Sequence, residues 1–407
     1  MFPAQTGVLI SPVCAFVQRV CAHPLKPSIH TFRTVGKTTL ICCRLLCLSK
    51  ALYHSPAYHS ALDMLYRQRK LDTPHGELQT PVLFPVSNIG KRSSDNTPEY
   101  TDSIPDLSTA MVNTRAIRNR KAQWDRLQGG ETLRDEMGVT DDTIVFADSG
   151  GFDFQNRKID TTPAKTLATQ RKIGADIFGT VDAPLSRDNR QAKNQRRISR
   201  SIDLALEASE KHSGEEPLFA SVHGYDPETV RNTIRHLEEE GTFDGYAIGS
   251  LVPIRTDYEK VTKIILAARR ATDKHLHVYG LGGLTYQPLL LYMGVDSFDS
   301  SAFIRSAGNR NYLMPGFGGE PLKNIEDLSH LPCACPVCST RTFETIREDR
   351  DLLVQHNLWA LALELRRFRY MYSIGEELET YLDLRFQGNE VTQRAYQMAK
   401  QQVRRLT

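Results

Sequence analysis

Three aspartates and one cluster of cysteines carry the chemistry in this sequence. Asp148 in FADSGGF, Asp182 in TVDAP and Asp299 in SFDSSAF each stand where a short apolar run gives way to small residues or a turn. An isolated carboxylate in that position is usually a turn former. Three of them at the ends of similar runs point to acidic groups gathered at one rim. Further along, CACPVC supplies Cys333, Cys335 and Cys338, and QHNLW supplies His356. Three thiolates and one imidazole fill a tetrahedral zinc shell and leave no position for water, so the ion would be structural. The bland alternative is a core histidine beside reduced cysteines, and the compactness of the cluster favours the metal. A third feature is charge. Arg187, Arg190, Lys193, Arg196, Arg197 and Arg200 recur at spacings of three and four with Asp188 as the only acid between them. On a helix they gather on one broad face, as a row of phosphates would require, or as any solvated surface helix would show.

These residues need elements to hold them. Short apolar or β-branched runs lie at 81–87, 109–114, 144–148, 176–182, 217–223, 245–250, 276–281 and 295–299. Helical patterns fall between most of them. The clearest starts with Asp226 as cap and Pro227 in the first turn, with Val230, Ile234 and Leu237 on one face. Another covers 256–271, and a helix at about 346–372 carries His356. Strand and helix alternating in this way predict an α/β fold, a (β/α)8 TIM barrel followed by a C-terminal zinc-binding helical subdomain. In a barrel, functional side chains come from the C-terminal strand ends. Those ends read Asp148, Asp182, His223, Gly249 and Asp299.

The 407 residues suffice for a barrel of about 250 residues and more. The net charge of +3 assigns any nucleic-acid affinity to local patches. No apolar run approaches the roughly 20 residues that span a bilayer, which excludes a membrane role. The cysteines do not form a disulfide framework, and a reducing compartment, the cytoplasm, is expected. Residues 1–62 contain no Asp or Glu and six basic residues. They have the look of a transit peptide, but read better as a poorly folded extension or a start placed too early, with Met64 as the true beginning. The division expected is an extension over 1–62, a barrel domain over 63–325, and a zinc-binding helical region over 326–407.

From Tyr66 to Gln401 the chain resembles the tRNA-guanine transglycosylase family. HGELQTPVLFPVS is similar to its opening strand, ADSGGF to its active-site signature, GYAIGSL to its glycine-containing strand, GVDSFDSS to its nucleophile strand and CACPVC with HNL to its zinc site. The archaeal branch is the more similar. The resemblance implies exchange of guanine in a polynucleotide for a 7-deazaguanine without backbone cleavage. It implies Asp299 as the nucleophile toward the sugar, Asp148 as the proton-transfer carboxylate and Asp182 as the acceptor for the guanine edge. The amides around Gly249 would meet the base carbonyl, Ser149, Gly150 and Gly151 would shape the loop, and Arg305 would contact a phosphate. His223 stands where the family usually has Gln. A structural zinc ion and a homodimer are also implied.

The chain ends at Thr407, without the C-terminal RNA-binding domains of the archaeal tRNA enzymes. On that ground the expectation leans to DNA as substrate and 7-cyano-7-deazaguanine as the incoming base, with partner proteins to open the duplex. tRNA is the close alternative. A non-catalytic nucleic-acid-binding accessory subunit is a second one, disfavoured by the presence of both Asp148 and Asp299.

Overall fold

The computed structural model describes residues 65–87, 104, 107–154, 159–316, 318–325, 333–374 and 378–404. The expected extension over 1–62 lies outside the described residues. An antiparallel hairpin comes first, β1 (Arg69–Thr73) and β2 (Gly76–Thr80). Eight strands follow: β3 (Val82–Pro85), β4 (Thr109–Asn113), β5 (Ile144–Asp148), β6 (Ile177–Gly179), β7 (Leu218–His223), β8 (Gly245–Gly249), β9 (His275–Val278) and β10 (Ser297–Ser300). Each lies in, or within a residue of, one of the eight expected runs. All are parallel, in the order β3-β10-β9-β8-β7-β6-β5-β4, and a parallel bridge between Val86 and Met111 joins the two ends of the ring. The fold is the expected barrel.

Strands such as β7, buried along its whole length, are apolar because both faces are covered. Inside the ring, Phe84, Phe146 and Phe219 meet edge to face, at centroid separations of 5.7 and 5.4 Å. Leu71 and Leu78 of the hairpin join this interior cluster beside Val82 and Ile144, which begin their strands, so the hairpin covers the N-terminal end of the barrel. His75, in the hairpin turn, is tied to the buried Asp176 at 2.6 Å, and Asp176 also receives Arg134 and the Val145 amide. Asp176 is thus a structural anchor just before β6, and the strand expected over 176–182 covers only Ile177–Gly179.

Outside the ring, helices pack their apolar faces onto the strands. Pro227–Glu240 is capped by Asp226, whose carboxylate accepts from the Thr229 amide at 2.8 Å, and it buries Val230, Ile234 and Leu237 as its periodicity requires. Tyr258–Ala271 is capped in the same way by Asp257. The expected helix at 346–372 is instead two, Phe343–Glu348 and Arg350–Ile374. Asp349 adopts an extended conformation between them, and its carboxylate accepts from the amides of Asp351 and Leu352, so one residue ends the first helix and caps the second. A hairpin of β11 (Asn311–Met314) and β12 (Gly318–Pro321) and two further helices, Leu378–Phe386 and Glu390–Arg404, complete this region. Among the described residues no helix is long and apolar enough to cross a membrane.

Candidate active site

Asp148 is the last residue of β5, and the chain turns sharply after it. The Gly150 amide donates back to Asp148 Oδ2 at 3.2 Å, and the Ser149 hydroxyl donates to Asp182 Oδ1 at 3.2 Å. Gly151 follows, so close to Asp182 that a Cβ there would lie 1.8 Å from Oδ1. Only glycine lets this loop close over the second carboxylate.

Asp182 lies just beyond β6 and is buried. Its Oδ2 is 2.8 Å from His223 Nε2, and His223 Nδ1 is 2.9 Å from the Ser250 hydroxyl. Ser250 Oγ accepts the Leu185 amide at 2.8 Å. With that side of the oxygen engaged, the hydroxyl proton goes to Nδ1, and the imidazole carries its own proton on Nε2 toward Asp182. His223 is thus held between Ser250 and the Asp182 carboxylate. Gly249 pairs with His223 across β7 and β8, which puts the end of β8 at the same mouth.

Asp299 lies in β10. Gly280 takes a left-handed conformation, φ +73°, and donates its amide to Asp299 Oδ1 at 2.7 Å. The Gly282 amide donates to the Asp299 carbonyl at 2.9 Å, so the glycine-rich turn after β9 wraps this residue. Among the described residues no hydrogen bond reaches Oδ2.

The three carboxylates therefore share one end of the barrel and feel one another. Burial first, then the charges of Asp182 and Asp299, push Asp148 up to about 8, against the opposing pull of the Gly150 amide. The phenol of Tyr279 is raised well above its ordinary range by burial and then by the charges of Asp148, Asp182 and Asp299, so it sits among all three. At neutral pH the mouth thus holds a proton on Asp148. A protonated carboxyl beside two further acids is the arrangement of a general acid serving a carboxylate nucleophile.

Three residues of the site escaped the sequence reading. Tyr279 and His277 project inward from the β9 segment, alternating with buried aliphatic residues, and the period of two in HLHVYG is the signal that marks them. Phe152 is 70% exposed on the loop directly after Gly151. Its exposure is visible only in three dimensions.

The expected basic helix runs from Gln191 to Lys211, with Arg190 at its cap position. Arg190, Lys193, Arg196 and Arg200 are exposed, as is Arg305 on the helix Ala302–Gly308. Arg187 precedes the helix, exposed, and donates to the Pro253 carbonyl at 3.1 Å. Arg197 is different. Its guanidinium donates to the carbonyls of Pro184 and Phe154, at 2.6 and 2.7 Å, which braces the helix against the rim. A groove of about 460 Å³ lies beside this helix, with Arg187, Asn194, Tyr225, Thr256 and Lys260 among its walls.

Away from the mouth, His356 Nδ1 lies 3.6, 3.4 and 3.4 Å from the sulfurs of Cys333, Cys335 and Cys338. Tetrahedral bonds of about 2.3 Å to sulfur and about 2.0 Å to nitrogen place such atoms about 3.5 Å apart. His356 Nε2 donates to the Leu313 carbonyl at 2.9 Å, which turns the Nδ1 lone pair to the thiols. The four residues fit a closed structural zinc site.

The chain matches the family model described as queuine tRNA-ribosyltransferase over residues 63–380. It is 30% identical to the tRNA-guanine(15) transglycosylase of Pyrococcus furiosus, over 77% of this chain and 53% of that protein. It is 28% identical to the protein of that name from Methanosarcina mazei, over 76% of this chain and 63% of the relative. For Haloferax volcanii the figures are 28%, 78% and 62%. The chain spans between about half and just under two thirds of the length of these relatives.

Proposed function

Because the chain belongs to the queuine tRNA-ribosyltransferase family, we propose that it is a pentosyltransferase that exchanges guanine in tRNA for a 7-deazaguanine. The observation that carries this reading is the set of three carboxylates around one mouth, one of them protonated up to about pH 8. Asp299 Oδ2 attacks the sugar C1′ and the bond to guanine breaks, while Asp148 gives its proton to the departing purine. The sugar is then held as an ester on Asp299. The incoming base attacks C1′ from the face that guanine left, passes its proton to Asp148 and releases the Asp299 carboxylate. Two displacements retain the anomeric configuration. Asp182 accepts from the N–H groups of the purine edge, with His223 and Ser149 holding its orientation. Phe152 offers an aromatic face on which a flipped purine stacks. The zinc site supplies no step; its residues tie the Arg350–Ile374 helix to the cysteine loop.

The names of these relatives all specify tRNA. This sets tRNA ahead of the DNA toward which the sequence reading leaned. The test is to supply labelled 7-cyano-7-deazaguanine with tRNA and, separately, duplex DNA, and to ask which polymer is labelled. Label in tRNA supports the proposal, and label in DNA alone would replace it. In Asp299→Asn the exchange should fall at least about 1,000-fold with folding and zinc content unchanged; turnover near the unmodified rate would remove the assigned nucleophile.

A further inference from the structure

The barrel interior holds one polar thread with no role in the steps above. β9 places His275 and His277 two residues apart, and β10 sets Ser297 beside His277 in register. His275 Nε2 and His277 Nδ1 each lie 2.8 Å from the same atom, Ser297 Oγ. On its other side, His277 Nε2 faces Asp299 Oδ1 at 3.4 Å and has no hydrogen-bond partner among the described residues. All three residues are buried, with the rings of Phe84, Phe146 and Tyr279 around His277 and Phe219 against His275. Polar groups are costly in such surroundings unless each is satisfied.

A serine hydroxyl has one proton, so Ser297 donates to one imidazole and accepts from the other. In one arrangement His275 Nε2–H donates to Ser297, and Ser297 donates to His277 Nδ1. The remaining proton of a neutral His277 is then on Nε2, aimed at Asp299. In the reverse arrangement Nε2 presents a lone pair to the carboxylate. When Asp299 is ionised, the first puts an N–H dipole on the anion and the second sets lone pairs face to face, and low local dielectric magnifies the difference. Burial holds both imidazoles below their ordinary range, His275 well below, so both are neutral near pH 7.

We propose that His277 is a positioning residue for Asp299: Ser297 and His275 fix its tautomer so that a neutral Nε2–H aims at Oδ1. The direction of the whole chain then follows the charge on Asp299. With the Gly280 amide on the same oxygen, Oδ2 is left as the attacking atom. In the second half of the exchange the Asp299–sugar bond breaks and its electron pair returns to the carboxylate, where the two donors receive the charge. This part rests on the exchange proposed above.

Imidazole ¹⁵N NMR of the full chain at pH 7 tests the pairing without turnover. His277 is expected to carry its proton on Nε2, and this bias should be lost in Asp299→Ala and in Ser297→Ala. A proton on Nδ1, or a tautomer unchanged in both variants, overturns the proposal. With tRNA and labelled base, His277→Phe should slow breakdown of the covalent adduct about 10- to 100-fold, the loss expected for one hydrogen bond to a charged group, so adduct accumulates. His277→Gln, which keeps a donor, should recover part of the rate. If the unmodified protein shows the Nε2 tautomer but exchanges no base, the reaction fails and the pairing stands. If it exchanges and His277→Phe matches its kcat and adduct level, the positioning role fails and the reaction stands.

Discussion

Asp148 is the residue on which pH acts. Its carboxyl is raised to about 8, chiefly by burial, so the folded protein keeps a proton that the unfolded chain releases near pH 4. Between those values the folded state binds more protons than the unfolded state, and stability falls as pH rises; above about 8 the penalty is constant. Replacing Asp148 with Asn removes the penalty. The variant should be more stable than the parent by several kcal/mol at pH 8 and equal to it at pH 3.5, read from denaturant midpoints at both values. Activity should move the other way. Exchange requires the protonated acid, so kcat should decline as pH rises through about 8. Asp148→Asn should lose both that limb and about 100- to 10,000-fold of the rate. A variant with the parental pH profile would assign the proton transfer elsewhere.

At the scale of elements, the strands and the carboxylates at their ends were legible for one reason. A strand buried on both faces is mostly apolar, so a carboxylate or imidazole at the C-terminal end of such a run marks its mouth. Asp148, Asp182, His223 and Asp299 were found in this way. Arg197 lies on the basic helix as its spacing requires, and only the fold shows its donors occupied by Pro184 and Phe154. Asp176 and Asp182 are both buried aspartates flanking β6, yet one anchors the hairpin and the other faces the mouth. Their places at opposite ends of one run separate them in the sequence, but their partners, distant in the chain, are seen only in the fold. The zinc ligands were legible because soft donors are rare and theirs are clustered. Cys335→Ser should lower zinc content to well below one per chain and cost several kcal/mol of stability, because metal affinity here is folding free energy. Parental metal content by elemental analysis would contradict this. The exchange chemistry should survive in whatever fraction remains folded.

At the scale of the whole molecule, a net charge of +3 gives little general attraction for a polyanion, so binding must fall to local cations. Arg190, Lys193 and Arg196 are exposed on the basic helix and are the cations to test. Changing all three to Gln should weaken tRNA binding and lower the slope of log K against log salt by about one per lost phosphate contact. Arg197→Gln should instead lower stability and leave that slope in place. Equal slopes for the triple variant and its parent would turn attention to the groove beside Arg187 and Lys260.

The hairpin β1 and β2, with Leu71 and Leu78 against the interior cluster, has a kinetic consequence. Among the described residues it covers the N-terminal end of the barrel, so in the exchange proposed above the sugar ester forms at the C-terminal mouth. The outgoing and incoming purines must then use one doorway in turn. Initial-rate plots should give parallel lines, with free guanine competing against the replacement base, whereas intersecting lines would mean that both purines are housed at once.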